Sequence, residues 1–227
     1  MIPVPIAEDN IAWSIPTAVQ QKTIALRFFI VENIKTARRY LRKLDPEFPI
    51  DDSQFFILNK RTRPEDLRTF ISPALDGHAI GVMSEAGCPG VADPGSIIAQ
   101  QAHQNNIKVV PLVGPSSILL ALMASGFDGQ NFTFHGYVPF DQAALKKFLS
   151  QQRHNAQSGT QIFMDTPYRN QKLLETCLQY LSDTDSLCIA VDITGPQEYI
   201  QTHTVKAWKS KGFHFQEKLP ALFLLGR

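Results

Sequence analysis

Cysteine is scarce: only Cys88, Cys177 and Cys188 occur in 227 residues. An odd count at wide spacing excludes a disulfide framework, and no Cys or His spacing matches a zinc site, so no metal is expected. The six histidines show no metal-like pairing either. Long apolar runs are lacking, and none approaches the ~20 residues of a membrane span. The start, "MIPVPIAEDN", has none of the sections of a signal peptide. These absences predict a reducing, cytoplasmic setting without a membrane partner. A charge excess is missing too: 22 Lys and Arg against 21 Asp and Glu leave a net charge of +1. A strongly basic nucleic-acid binder finds no support there, and local patches become the relevant feature. No G-x-G-x-x-G, G-x-x-x-x-G-K-[ST] or G-x-S-x-G occurs, so classical dinucleotide, P-loop and nucleophile-elbow readings fail.

What is present is a chain able to bury a core, 44% hydrophobic and 19% charged. Short apolar runs alternate with helical patterns. "RFFIV" (27–31), "QFFIL" (54–58), "AIGVM" (79–83) and "KVVPL" (108–112) read as strands. Residues 33–44, 63–75 and 95–105 read as the helices between them. Such alternation predicts an α/β domain with a largely parallel sheet. A boundary near 112–115 splits the chain into similar halves. The second half reads as a helix from 114 to 126, a strand at 131–139, a helix near 141–152 and an exposed polar loop at 151–161. A strand at 160–165, a helix from about 168 to 181, and strands at 187–193, 198–205 and 221–226 follow. Its alternating and terminal strands predict a mixed sheet.

Four stretches are candidates for chemistry. "SEAGCPGVADPG" (84–95) follows a strand and precedes a helix, where parallel sheets bind ligands. Its glycines permit close backbone approach; equally, it is a structural turn in which Asp93 caps the next helix. "PLVGPSS" (111–117) opens a helix, either as an anion-receiving N-terminus or as an ordinary domain-boundary turn. In "MDTPYRN" (164–170), Asp165 suits a hydroxyl or amine, Tyr168 a stacked ring and Arg169 an anion; the alternative is a helix entry with Thr166 as cap. Lys35, Arg38, Arg39, Lys60, Arg61 and Arg63 follow two strands and form either a phosphate-attracting rim or solvated helix faces.

Taken in order, "SEAGCPGVADPG", "PLVGPSS", "ASGFDGQNFTFHGYVP" and "FMDTPYR" resemble one family. They are similar to the tetrapyrrole methylase superfamily of S-adenosylmethionine-dependent methyltransferases. Within it they resemble most the branch of the ribosomal small-subunit RNA ribose 2′-O-methyltransferase I. That branch reads S-[DE]-A-G-T-P-G-[IV]-[SA]-D-P-G, P-[LI]-P-G-P-S-A, A-S-G-…-F-x-G-F-[LV]-P and E-A-P-[HY]-R. The resemblance runs from about residue 28 to the C-terminal "LPALFLLGR", and "IPVPIA" (2–7) matches the family's first strand and loop. It implies two α/β domains, 1–113 and 114–227, with the cofactor in a cleft between them, and a homodimer. Pro5, Ala86, Gly87, Cys88, Val91, Ser116, Ser117, Met164, Asp165 and Thr194 are the implied cofactor contacts. Lys35, Arg38, Arg39, Lys60, Arg61 and Arg169 are expected on the substrate side.

Departures from the pattern mark a divergent member. The chain starts inside the usual first strand, and Ala7 replaces a loop glycine. "ENIK" (32–35) stands for "EDTR", "DITG" (192–195) for "ELTK", and Cys88 for a threonine. The implied activity is methyl transfer to a ribose 2′-hydroxyl of ribosomal RNA. A small-molecule acceptor such as a tetrapyrrole, or a non-catalytic cofactor-binding relative, are the alternatives. A ribose hydroxyl is a weak nucleophile helped by a base. Glu85, Asp93 and Glu32, each near a strand's C-terminal end, are the candidates.

Overall fold

Phe28–Val31, apolar throughout and almost wholly buried, forms β1, the centre of the first sheet. In this computed structural model, which describes residues 1–7, 10–216 and 218–227, the chain divides into two compact units, Met1–Ser116 and Ser117–Arg227.

The first unit holds helices α1 (Ile11–Ser14) and α2 (Thr17–Ile24), then β1 and α3 (Ile34–Leu44). Strand β2 (Gln54–Ile57), α4 (Pro64–Leu75), β3 (Ile80–Met83) and α5 (Gly95–Gln104) follow. The sheet is parallel in the order β2-β1-β3. Alternation along β1 sends Phe29 and Val31 to one face, with Leu41 of α3 and Phe48. Ile30 faces the other way, with Ile71 of α4 and Ile98 of α5. Helix α3 forms because Ala37, Tyr40 and Leu41 share its buried face while Asn33 caps its start, accepting from the Lys35 N–H at 2.9 Å. Helix α4 opens at Pro64, with Glu65 and Asp66 in its first turn, as the helix dipole favours.

Two expectations are corrected in and around this unit. Residues 108–112 are no strand. They run extended beside Met1, whose amine donates to the Val110 carbonyl at 2.9 Å and whose carbonyl accepts from Leu112 at 3.0 Å. Pro111 lacks an N–H, and these contacts do not extend into a ladder. The segment 2–7 contributes only isolated bridges, Ile2 with Met83 and Val4 with Gly87. Helices α1 and α2 carry little amphipathic pattern and were not legible.

The second unit runs α6 (Ser117–Ser125), β4 (Phe132–Tyr137), α7 (Gln142–Asn155), β5 (Thr160–Met164), a 3₁₀ turn (Pro167–Arg169) and α8 (Asn170–Tyr180). Strands β6 (Ser186–Val191) and β7 (Tyr199–Thr204), helix α9 (Val205–Lys211) and strand β8 (Ala221–Gly226) complete it. Its sheet, β4-β5-β8-β6-β7, is mixed: β4 and β5 are parallel, and the other pairs antiparallel. One face packs Phe163, Ile189 and Phe223 against Leu149, Leu173 and Trp208 of the three later helices α7, α8 and α9. The other packs Ile162, Cys188 and Leu224 against Ala121 and Leu122 of α6. The polar stretch 151–161 is not the exposed loop its composition predicts. Helix α7 continues through Asn155, and Gln152, Thr160 and Gln161 are buried. Their side chains find partners inside: the Thr160 hydroxyl donates to the Asp128 carbonyl at 2.7 Å, and Gln161 pairs with His135 at 2.9 Å.

Candidate functional site

A parallel register places Val31, Ile57 and Met83 side by side, so the loops after β1, β2 and β3 leave the sheet at one edge. That edge collects Glu32, Lys60 and the loop 84–95. The loop is pinned from two directions. Gly87 exchanges both backbone hydrogen bonds with Val4, at 3.0 and 3.1 Å, in a left-handed conformation with φ +70°. The Cys88 thiol donates toward the Pro115 carbonyl at 3.2 Å and lies 3.7 Å from that of Gly114. Gly114 in turn lies so close to Pro3 that an added Cβ would sit 2.2 Å from the proline's Cβ. Three segments far apart in sequence, around Pro3–Pro5, Ala86–Cys88 and Gly114–Ser116, therefore meet, through backbone bonds between Val4 and Gly87, the Cys88 thiol and the Pro3 ring.

The carboxylates divide by their partners. Asp93 accepts from the Gly90 N–H at 2.9 Å and the Gly95 N–H at 2.6 Å, bracing the loop onto the first residue of α5. Glu85 accepts from the Thr36 hydroxyl at 2.6 Å. Glu32 accepts from the Glu85 N–H at 3.2 Å through Oε1. Burial pushes the Glu32 carboxyl above the usual range; that hydrogen bond opposes the shift, and the nearby charges of Asp93 and Glu85 add to it. A cavity of about 150 Å³ opens beside them, walled by Pro5, Ala7, Thr36, Arg39, Tyr40 and Glu85. A larger cavity of about 540 Å³ lies among Ile30, Ile71, Val82 and Ile98. Its walls combine core side chains with exposed ones such as Lys22, His78 and Val110, and no residue of the predicted site lines it.

Lys35, Arg38 and Arg39 lie exposed on α3, and Lys60 and Arg61 on the loop after β2. Arg38 lies over the Phe55 ring at 5.3 Å, and Arg39 lines the smaller cavity. Val91 is exposed, and Ser116 ends the first unit.

In the second unit, Met164 and Val191 pair with Leu222 and Ala221, so β5 and β6 end on either side of the start of β8. Asp165 and Thr194 emerge at that edge, both buried, and Thr194 has φ +66°. Asp165 accepts from the Thr166 N–H through Oδ1 at 2.8 Å. Its Oδ2 pairs with Arg169 at 3.2 Å but receives no aligned hydrogen bond, a buried acceptor with capacity left. Ser117 opens α6. Among the described residues, no three His, Cys, Asp or Glu side chains are grouped to hold a metal ion. No helix among them is long and apolar enough to cross a membrane.

Several contributors were not legible beforehand. Pro3 and Thr36 enter the site through partners distant in sequence, Gly114 and Glu85. Glu198 holds the Thr194 N–H at 2.7 Å, a contact made by a turn that the sequence pattern does not announce.

Comparison with known proteins bears on this arrangement. The chain is 32% identical over 163 residues to the ribosomal RNA small subunit methyltransferase I of Vibrio cholerae, covering 72% of this chain and 56% of that protein. It is 30% identical over 152 residues to the protein of that name from Haemophilus influenzae, covering 67% and 53%. The chain belongs to the tetrapyrrole methylase superfamily, in its ribosomal RNA small subunit methyltransferase I branch. It thus spans little more than half the length of these relatives of the branch. No protein-family model matches it. Its fold is that of the superfamily: the crystal structure of the methyltransferase CobJ aligns with a TM-score of 0.60 at 17% identity, covering 94% of this chain and 88% of that one.

Proposed function

We propose that this branch member transfers a methyl group from S-adenosylmethionine to a ribose 2′-hydroxyl of ribosomal RNA. The observation that carries the reading is the convergence of the segments around Pro3–Pro5, Ala86–Cys88 and Gly114–Ser116, tied by the Val4–Gly87 backbone bonds, the Cys88 thiol and the packing of Gly114 on the Pro3 ring. Main chain thinned in this way fits an adenosyl ligand held by backbone contacts, and the unmet acceptor on Asp165 fits a ligand hydroxyl or amine. Pro5, Ala86, Gly87, Cys88, Val91 and Ser116 would hold the cofactor from the first unit. The resemblance adds Ser117, Met164, Asp165 and Thr194 from the second.

Bound there, S-adenosylmethionine supplies an electrophilic methyl group. The chain's task is alignment, worth up to about 7–11 kcal/mol in favourable cases. Asp93 braces the loop, and Glu85 and Glu32 each accept one hydrogen bond through Oε1; of these two we take Glu32, whose carboxyl is pushed above the usual range by burial, as the base. Its Oε2 takes the hydroxyl proton, and its raised basicity suits that role. Lys35, Arg38, Arg39, Lys60 and Arg61 attract the RNA backbone, and Arg169 contributes from the second unit. The working context of the reading is a cytoplasmic homodimer.

The test has two arms. Calorimetry with S-adenosylhomocysteine measures the cradle, and transfer of labelled methyl groups to extracted small-subunit RNA or to porphyrinoids measures the acceptor. Label in RNA, with binding that weakens steeply as salt rises, is expected. Label in porphyrinoids alone overturns the acceptor; absence of cofactor binding overturns the whole reading.

A further inference from the structure

Three aromatic rings stand in solvent at one edge of the second unit: Tyr137 (62% exposed), Phe140 (80%) and Tyr168 (66%). Strands β4 and β5 run parallel, and Tyr137 is the register partner of Met164, so the loops that follow them leave the sheet side by side. Tyr137 ends β4 and Phe140 follows it by three residues. Tyr168 lies in the 3₁₀ turn after β5. Specific devices set two of these rings, Tyr137 and Phe140. The β4–β5 register shifts between Phe134 and Tyr137, where Gly136 adopts φ +68°, and such a bulge re-aims the next side chain. Phe140 is gripped from behind: the Arg169 guanidinium lies over its ring at 4.4 Å and contacts its carbonyl at 3.4 Å. Arg169 is itself fixed by the buried Asp165 at 3.2 Å, and Asp141, next in the chain, caps α7. Pro139 and Pro167 stiffen both approaches.

We infer that Tyr137, Phe140 and Tyr168 form a stacking platform for unpaired bases of the RNA acceptor. The inference rests on the RNA reading above and adds to it the surface that receives the bases. Rigid exposed rings, one backed by a guanidinium, match how proteins hold single-stranded nucleic acid: any base offers a π face, and cation–π support strengthens the stack. Polar neighbours such as Asp141, Gln142 and Thr166 interrupt the patch. It lacks the continuous apolar surface that a subunit interface of useful size would present.

The full chain is titrated with a fluorescently labelled, short single-stranded RNA of mixed sequence. Phe140→Ala and Tyr168→Ala are each expected to raise Kd about tenfold, the value of one base stacked on one ring. The slope of log Kd against log salt should stay as in the parent, because no phosphate contact is removed. Phe140→Trp should restore binding, whereas Phe140→Leu, which keeps apolar bulk without the ring, should not. Unchanged Kd in both alanine variants overturns the platform, as does dissociation of an oligomer into monomers in those variants, which would assign the rings to a second copy of the chain. The RNA reading is scored separately by methyl transfer in the parent. Transfer to RNA with KM unaltered in the variants refutes the platform alone, and a parent that methylates no RNA refutes the reading beneath it.

Discussion

Gly114→Ala tests the cradle directly. The added Cβ would lie 2.2 Å from Pro3 Cβ and 2.3 Å from its Cγ. Carbon atoms pack at about 3.5–4.0 Å, so one segment must retreat by roughly 1.3 Å or more. Pro3 has little freedom to do so. Its neighbours are tied by Ile2 N–H to the Val82 carbonyl at 2.8 Å and by Val4 N–H to the Gly87 carbonyl at 3.0 Å. The retreat therefore falls on residues 113–116, which carry the carbonyls that meet Cys88. Overpacking of this kind costs about 1–3 kcal/mol. A displacement near 1 Å in a positioning segment lowers turnover on the order of 10²-fold. Urea unfolding and calorimetry with S-adenosylhomocysteine read the two effects, and a Kd raised about tenfold is expected, equivalent to about 1.4 kcal/mol. Gly129→Ala is the control: its Cβ would meet only Leu122 Cδ2, at 3.9 Å, so stability should move by less than about 0.5 kcal/mol. If Gly114→Ala unfolds at the parent's urea midpoint and binds equally well, the close approach of Gly114 to Pro3 does not exist in solution and the cradle argument fails.

Four further outcomes follow from the same geometry. A maleimide should modify Cys88 alone in the native protein, because Cys177 and Cys188 are fully buried; burial and the charge of Asp93 push the Cys88 thiol up, so labelling should be slower than that of a free thiol and quicken with pH. Modification of all three at similar rates would contradict the packing. Asp93→Ala strips acceptors from Gly90 and Gly95 and should cost about 1–3 kcal/mol in urea unfolding. Glu32 is neutral over a wider pH range when folded than when unfolded, so the stability due to its proton is present in acid and lost as pH rises through its raised native value. Glu32→Gln should accordingly stabilise the fold near neutral pH, by less than about 1 kcal/mol for so exposed a group, make no difference in acid, and slow methyl transfer by about 10²–10⁴-fold; a destabilised or fully active variant would count against the assignment. Trp208→Phe leaves the Leu187 carbonyl without its buried donor at 2.8 Å and should cost about 1–3 kcal/mol, read as a lower urea midpoint.

Local signals were enough for most elements and for the candidate positions. The continuous apolar run "FFIV", the cap at Asn33 and the proline at the start of α4 all act within a few residues, so the sequence displays them openly. The small-residue loop 84–95 was equally visible, as was its resemblance to the methylase motif. By contrast, the stretch 151–161 looked like a loop because its side chains are polar. The Asp128 carbonyl and His135, which satisfy Thr160 and Gln161, come from outside that window. Residues 108–112 looked like a strand because their apolar pattern says nothing about whether a partner ladder exists.

The chain by itself thus determined the α/β alternation, the methylase motifs and the set of carboxylates near strand ends, because each depends on nearest neighbours and on side-chain chemistry. Only the folded structure decided which partner each carboxylate takes, what Gly114 must be small for, and which aromatic rings face water. Those properties arise from contacts across about thirty to more than a hundred residues of sequence, such as Thr36 with Glu85 and Pro3 with Gly114. Contacts of that range exist only after the sheet has set its register.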